Sequence, residues 1–166
     1  MSEACANLLR LRSLSQLRDD ISPRTAAYVK QVAAGGLCNN STSCRFYRAE
    51  PIPPPGAIDN FGGPGPPYAL VQGSLASTLF TAIEREGAPL VQRGDACLIG
   101  TGPDFFIAVG PHPEWGNGHT VWGRVQGSMA AVDAIVEQPL KEETWGETHV
   151  RVLVSPMSFT LSTHAV

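Results

Sequence analysis

The chain has few charged residues and little imbalance between the two signs. Charged side chains make up 16% of its 166 residues, and 12 basic against 15 acidic residues leave a net charge of −3. Globular proteins usually have about a quarter of their residues charged. The basic surface that attracts nucleic acid is therefore not expected, and neither is an acidic tail. The chain also lacks a run of eighteen apolar residues, so we expect no membrane-spanning helix.

Motifs for metals, cofactors and nucleophilic catalysis are missing as well. The cysteines, Cys5, Cys38, Cys44 and Cys97, do not have the spacing of a zinc site. No P-loop, dinucleotide-binding fingerprint or nucleophile elbow is present, so we expect no cofactor. Either Cys97 or Ser74 would be a conceivable nucleophile, with His119 as its base. A cysteine within an apolar strand is more commonly inert, however.

The segment CNNSTSC, residues 38–44, leaves the cellular compartment open. Cys38 and Cys44 flank overlapping glycosylation sequons at Asn39 and Asn40. A disulfide and a glycan in this loop would place the protein in a secretory lumen. A reduced loop with unused sequons would instead fit the cytoplasm, and the chain start lacks the apolar core and cleavage site of a secretory signal. Both alternatives stay open.

The start of the chain, MSEACANLLRLRSLSQLR, mixes leucine with arginine. Leu9, Leu11 and Leu14 would face one side of a strand, and Arg10 and Arg12 the other. This pattern favours a strand over an organellar transit peptide.

Glycine and proline are abundant, with 17 and 14 residues respectively. Seven prolines and four glycines lie among the seventeen residues 51–67, PIPPPGAIDNFGGPGPP. Proline removes backbone donors and glycine adds conformational freedom, so this segment cannot form regular secondary structure. Too little chain precedes it to form a core of its own. We therefore expect one domain, residues 1–166, with a Pro/Gly-rich insertion at 49–67.

Short apolar runs dominate the rest of the chain. Runs of four to seven residues bounded by Gly, Pro or Asn are typical of strands, as in DFFIAV and HTVWGRV. Helices are predicted over SPRTAAYVKQVAAGG, capped by Ser22, over LASTLFTAIEREG at 75–87, and over SMAAVDAIVEQ, capped by Ser128. Strands outnumber widely separated helices, which predicts a mainly β antiparallel barrel or sandwich with helices at its ends.

The order of four motifs then points to a family. The chain runs through FYR, VQG, DFFIAV and PEWGNGHTVWGRV, followed by a helix that begins near Met129. Over about residues 17–154, this order resembles the cyclophilin family of peptidyl-prolyl isomerases. That family has Phe-His-Arg, Gln-Gly-Gly, Gln-Phe-Phe-Ile and Trp…His…Val-Phe-Gly-Lys-Val in the same sequence. The resemblance implies a closed antiparallel β-barrel capped by helices.

The resemblance also assigns roles to individual residues. It implies that Arg48 is the catalytic arginine and that Gln72 orients the substrate. The residues that it implies for substrate binding are Leu70, Phe106, Trp115, His119 and Thr101.

The activity implied by the resemblance is cis-trans isomerisation of X-Pro bonds in peptides and proteins, in support of protein folding. Twisting such a bond means overcoming amide resonance, which needs neither a nucleophile nor a metal. Arg48 would donate a hydrogen bond to the prolyl nitrogen in the twisted transition state. The expected partners are proline-containing segments and the family's cyclic peptide inhibitors, and we expect a monomer.

Departures from the family pattern leave a second interpretation open. The insertion separates Arg48 from Gln72, Asp104 replaces the glutamine before Phe-Phe, and Gly116 replaces a leucine after Trp115. The chain would then be a weakly active or inactive module that binds proline-containing segments or docks in an assembly. The insertion itself is predicted to lie across or beside the groove.

Overall fold

The computed structural model describes residues 14–39, 42–75 and 80–163, and the side chains of Leu14 and Ser15 are not described. In these residues the chain forms eight strands, two α-helices and a short 3₁₀ helix, Pro113–Trp115. The strands are β1 (Leu14–Leu17), β2 (Arg45–Glu50), β3 (Leu70–Ser74), β4 (Asp95–Leu98), β5 (Asp104–Ala108), β6 (Val121–Gln126), β7 (Leu140–Trp145) and β8 (Thr148–Ser158). The helices are α1 (Pro23–Ala34) and α2 (Ala130–Val136). The predicted positions of Leu9 and Leu11 lie outside the described residues.

All eight strands form one sheet in the order β1-β6-β4-β5-β3-β2-β8-β7. Every neighbouring pair is antiparallel, which confirms the mainly β class and the antiparallel arrangement. Within the described residues, the outer strands β1 and β7 do not pair with each other. Hydrogen bonds therefore do not close the sheet there, and the eight antiparallel strands with two helices are consistent with the barrel-like fold that the resemblance implies.

Alternation along the central strands creates two hydrophobic clusters on opposite faces of the sheet. The larger contains Val71 of β3 and Phe105 and Ile107 of β5, together with the buried faces of α1 and α2. The smaller contains Leu70 of β3 and Phe106 of β5. The sheet thus wraps around one core and carries a second, smaller apolar patch on its outer face.

The helix α1 begins where Pro23 predicts, but a distant carboxylate satisfies its first turn. The Ser22 hydroxyl donates to the Val121 carbonyl at 2.7 Å instead of capping the helix, so the predicted cap is wrong. Oε1 of Glu86 accepts hydrogen bonds from the Thr25 N–H at 2.7 Å and from the Thr25 hydroxyl at 2.9 Å. Burial alone would raise the pKa of Glu86, but the hydrogen bonds from Thr25 and Arg24 outweigh it and lower the pKa.

The helix α2 confirms the predicted helix, but its N-cap is Met129 and not the predicted Ser128. The Ser128 hydroxyl, one residue earlier, accepts the Ala130 N–H at 3.1 Å. Across the part of the chain that the structure describes, no helix has the length and apolar character needed to cross a membrane.

The helix predicted over residues 75–87 is wrong for its described part, because residues 80–87 have no regular secondary structure. Their backbone groups bond to other elements instead. The Ile83 N–H donates to the Thr101 carbonyl at 3.1 Å, and the Glu86 N–H donates to the Thr120 hydroxyl at 3.0 Å. These long-range hydrogen bonds override the helical pattern of the local sequence.

A disulfide joins Cys38, after α1, to Cys44, just before β2, with Cα atoms 5.1 Å apart. Of the two alternatives for CNNSTSC, the structure therefore contains the oxidised one. The remaining described cysteine, Cys97, is buried in β4.

We predict that Glu86→Ala lowers the free energy of unfolding by about 2 kcal/mol, because charge-assisted hydrogen bonds to the first turn of α1 are lost. The folded-state pKa of Glu86 is lowered, so its contribution is present above the unfolded pKa of glutamate and is lost as pH falls through the folded value. Urea denaturation at neutral and acidic pH measures both effects. The exposed Glu84→Ala is the matched control, and an equal, pH-independent effect of the two changes would contradict the prediction.

Candidate functional site

Three predicted site residues lie side by side across neighbouring strands. In the β2–β3 ladder Arg48 is opposite Gln72, and in the β3–β5 ladder Gln72 is opposite Phe106. Directly opposed residues in antiparallel strands project from the same face of a sheet. Leu70, two positions before Gln72 in β3, shares that face. The register alone therefore brings together residues that are up to 58 positions apart in the chain.

These residues line an open pocket of about 230 Å³ on the outer face of the sheet. The pocket has an apolar end and a polar end, and the insertion borders it. Its lining residues are Arg48, Asp59, Phe61, Tyr68, Leu70, Gln72, Ile99, Phe106, Trp115, His119 and Thr148.

Aromatic side chains form the apolar end. Phe106 is 1% exposed, and its ring lies 5.3 Å from that of Trp115 and 5.1 Å from that of His119. Both contacts are close to perpendicular, the geometry that favours the edge of one ring against the face of another. Phe106 therefore forms a flat apolar base, with Trp115 and His119 standing beside it.

His119 contributes to this end as an uncharged ring. Its Nδ1 donates to the Leu98 carbonyl at 3.1 Å. Burial lowers the pKa of His119 despite this hydrogen bond, so the ring is neutral at neutral pH. The part of the wall that His119 forms is thus uncharged.

His112 packs against the ring of Trp115. The two rings stack at 3.6 Å with an interplanar angle of 4°. The His112 ring is fixed in turn by Glu114, 2.7 Å from Nδ1, and by the Ala69 carbonyl, 3.1 Å from Nε2. His112 is thus a support for the wall of the pocket.

The polar end of the pocket is formed around the Arg48 guanidinium. Its Nη1 donates to Oε1 of Gln72 at 2.8 Å, and its Nε donates to the Glu50 carboxylate. Its guanidinium also lies 5.5 Å from the ring centre of Tyr68 and 5.4 Å from that of Trp145. Within residues 14–39, 42–75 and 80–163, Nη2 has no hydrogen-bond partner. A donor fixed in direction is therefore available to a ligand in the pocket.

Glu50 is a residue beside the site that sequence reasoning missed. Its side chain is 0% exposed, and besides Arg48 it accepts the Tyr68 N–H at 3.0 Å. Burial raises the pKa of Glu50, and the positive charge of Arg48 opposes that shift. The signal for it was strand alternation, because Glu50 follows Arg48 by two positions and so shares its face.

Hydrogen bonds at both its oxygen and its nitrogen fix the orientation of the Gln72 amide. Its Oε1 accepts from Arg48, and its Nε2 donates to the Tyr47 hydroxyl at 2.7 Å. A register shift between Phe46 and Arg48 leaves Tyr47 as an extra residue in β2, which lets adjacent side chains reach one partner. Burial raises the pKa of Tyr47 against the Gln72 hydrogen bond, and the nearby Asp104 charge raises it further.

The insertion lies beside the pocket, which is one of the two paths predicted for it. The strand β2 continues through Glu50, and the chain then leaves at Pro51 and returns at Ala69, whose N–H donates to the Pro51 carbonyl at 3.0 Å. A bridge between Ile58 and Pro64 folds the segment back on itself. Its Asp59 and Phe61 line the pocket next to Arg48 and Tyr68.

Two other residues that the sequence singled out lie apart from the pocket surface. Thr101 is exposed and is not among the lining residues, and its carbonyl accepts from Ile83. Cys97 lies opposite Phe106 in the β4–β5 ladder and is fully buried, and burial raises the pKa of its thiol. A thiol that stays protonated is a poor nucleophile, so Cys97 is an inert core residue.

Comparison with known families adds one match. The family model of cyclophilin type peptidyl-prolyl cis-trans isomerases matches residues 98–155. Over this range, which includes Phe106, Trp115 and His119, the resemblance that the motifs predict is confirmed. Arg48 and Gln72 lie outside the matched range, so their place in the site rests on the strand register. No curated protein matches the chain significantly.

We predict that Glu50→Ala lowers the free energy of unfolding by about 3–5 kcal/mol, because the half-buried Arg48 guanidinium loses its charge partner. The double variant with Arg48→Ala should lose less than the sum of the two single changes, since no unpaired charge remains. Chemical denaturation of the four proteins measures this coupling. Glu142→Ala, an exposed carboxylate on β7, should change stability by less than about 0.5 kcal/mol. Strict additivity of the two changes would contradict the predicted pairing.

Proposed function

We propose that this protein is a peptidyl-prolyl cis-trans isomerase that acts on exposed X-Pro bonds of peptides and proteins. The observation that carries the proposal is the position of Arg48. Its guanidinium is held rigidly at the edge of an apolar aromatic pocket, with an Nη2 donor left over for a ligand. The family match over residues 98–155 supports the same conclusion from an independent part of the chain.

The chemistry requires only selective stabilisation of a twisted amide. An X-Pro bond rotates over a barrier of about 18–20 kcal/mol, because planarity allows the nitrogen lone pair to conjugate with the carbonyl. In the twisted state the lone pair becomes localised on the prolyl nitrogen and accepts a hydrogen bond. A donor aimed at that nitrogen therefore binds the transition state better than either planar isomer.

The pocket residues divide this task. The proline ring would lie on Phe106, between Trp115 and His119, where a neutral imidazole keeps the surface apolar. Nη2 of Arg48 would donate to the prolyl nitrogen, and Gln72 would hold the carbonyl side of the substrate. Glu50 and Tyr47 would keep Arg48 and Gln72 in place before the substrate arrives, so little reorganisation is needed in the transition state.

A binding module without useful turnover is the second candidate. Glu50 is the observation that favours it, because a fully buried carboxylate beside Arg48 offsets the positive charge of the donor. Gly116 also places no side chain beside Trp115 on the pocket rim. Such a pocket would capture proline-containing segments and release them unchanged.

We predict that Arg48→Ala lowers kcat/KM for a short X-Pro peptide by about 10²–10³-fold, because the one donor specific to the twisted state is lost. A protease-coupled assay that cleaves only the trans isomer measures this rate. Arg45→Ala is the matched control, because Arg45 lies in the same strand with an exposed side chain that does not line the pocket. It should keep the wild-type rate.

Wild type and Arg48→Ala both isomerising at the uncatalysed rate would contradict the enzyme proposal. Calorimetric titration with the same peptide then tests the second candidate. Binding by wild type that is lost in Trp115→Ala would support a binding module, and no binding by either protein would contradict it.

A further inference from the structure

We infer that the Pro/Gly-rich insertion builds a second subsite beside the proline pocket, and that it selects a lysine or arginine side chain flanking the substrate proline. The subsite consists of Asp59 and Phe61 of the insertion and of Thr148 at the start of β8, which all line the pocket. This inference rests on the proposed function and specifies its substrate class.

The insertion presents these two side chains from a fixed hairpin. Oδ1 of Asp59 accepts the N–H groups of Phe61 and Gly63, each at 2.9 Å. The Asp59 N–H donates to the Gly63 carbonyl at 2.8 Å. Asn60 anchors the tip to the β7–β8 turn, with its Nδ2 donating to the Glu147 carbonyl at 3.0 Å. The position of Asp59 at the pocket edge is therefore set by the hairpin and its anchor.

The charges around the pocket favour a cation as the occupant. Among the described residues, the charged side chains that line the pocket are those of Arg48 and Asp59. Arg48 is compensated by the buried Glu50 carboxylate. Asp59 forms no ion pair with a basic side chain in the described part of the chain. The hairpin uses its Oδ1, and the Tyr68 hydroxyl is a further, uncharged hydrogen-bond partner of the carboxylate. The edge of the pocket at Asp59 therefore carries a net negative charge.

The aromatic surface beside this charge suits a long basic side chain. Phe61 is 73% exposed although it is large and apolar, and it lies on the same pocket as Asp59. The methylene groups of lysine or arginine would cover the Phe61 ring while the cationic head reaches Asp59. A purely apolar side chain would desolvate the carboxylate without pairing it, and an acidic one would be repelled.

The experiment uses X-Pro peptides that differ only in one residue, which is lysine, leucine or glutamate. This residue is placed in turn directly before the proline, two positions before it, and directly after it. At one of these positions at least, wild type should prefer lysine over glutamate by about fivefold or more in kcat/KM. Added salt should weaken the preference.

The variant Asp59→Asn keeps the Oδ1 acceptor of the hairpin and removes only the charge, and it should reduce the lysine-over-glutamate ratio to about twofold or less. Glu142→Gln, a carboxylate on β7 that does not line the pocket, is the control and should keep the wild-type ratio. Equal rates for the three residues at every position would overturn the inference, and so would a ratio that Asp59→Asn leaves unchanged.

Failure of the proposed function has a different signature. If wild type accelerates no peptide, isomerase activity is contradicted. The lysine-over-glutamate preference is then measured as a ratio of dissociation constants by calorimetry. A lysine preference in binding that depends on Asp59 would then still support the subsite. Binding without such a preference, or no binding of any peptide, would overturn it.

Discussion

The antiparallel register of β2, β3 and β5 is the constraint on which the pocket depends. It puts Arg48, Gln72 and Phe106 in one row, on the face opposite the main core. A slip of one residue in β3 would turn Gln72 and Leu70 into the core and Val71 outward. Such a slip would bury an amide in an apolar interior, so core packing and the formation of the pocket enforce the same register.

The electrostatics of the pocket follow from this row. The Arg48 guanidinium lies between the buried Glu50 carboxylate and the Gln72 amide. A further hydrogen bond holds each of these partners, from the Tyr68 N–H to Glu50 and between Gln72 and the Tyr47 hydroxyl. The guanidinium is therefore oriented even without a ligand, while His119 at the apolar end of the pocket stays uncharged. A rigid cation beside a neutral aromatic surface is an arrangement suited to recognising a change in the geometry of an amide.

The insertion adds to this arrangement without disturbing it. The chain leaves β2 and returns to β3 at a point where Pro51 and Ala69 are hydrogen-bonded, so the two strands pair as if the connection were short. The entropic cost of closing a loop rises only slowly with its length. An excursion between two site residues is therefore tolerated, and its own side chains are brought to the edge of the pocket.

Local patterns in the sequence were enough to predict α1, α2 and the central strands, and the family resemblance pointed to Arg48, Gln72 and Phe106, which the strand register brings together. The sequence did not identify β7, and it predicted a helix where Glu86 and its neighbours bond to α1 and β6 instead. Nor did it identify Glu50 and Asp59. Alternation along β2 indicated the face of Glu50, but its complete burial and its bond to the Tyr68 N–H arise only in the folded sheet, and the pocket that Asp59 lines is assembled from many segments. These features arise only in the folded chain, because long-range hydrogen bonds and buried charges depend on which segments meet, and local propensity carries no information about that.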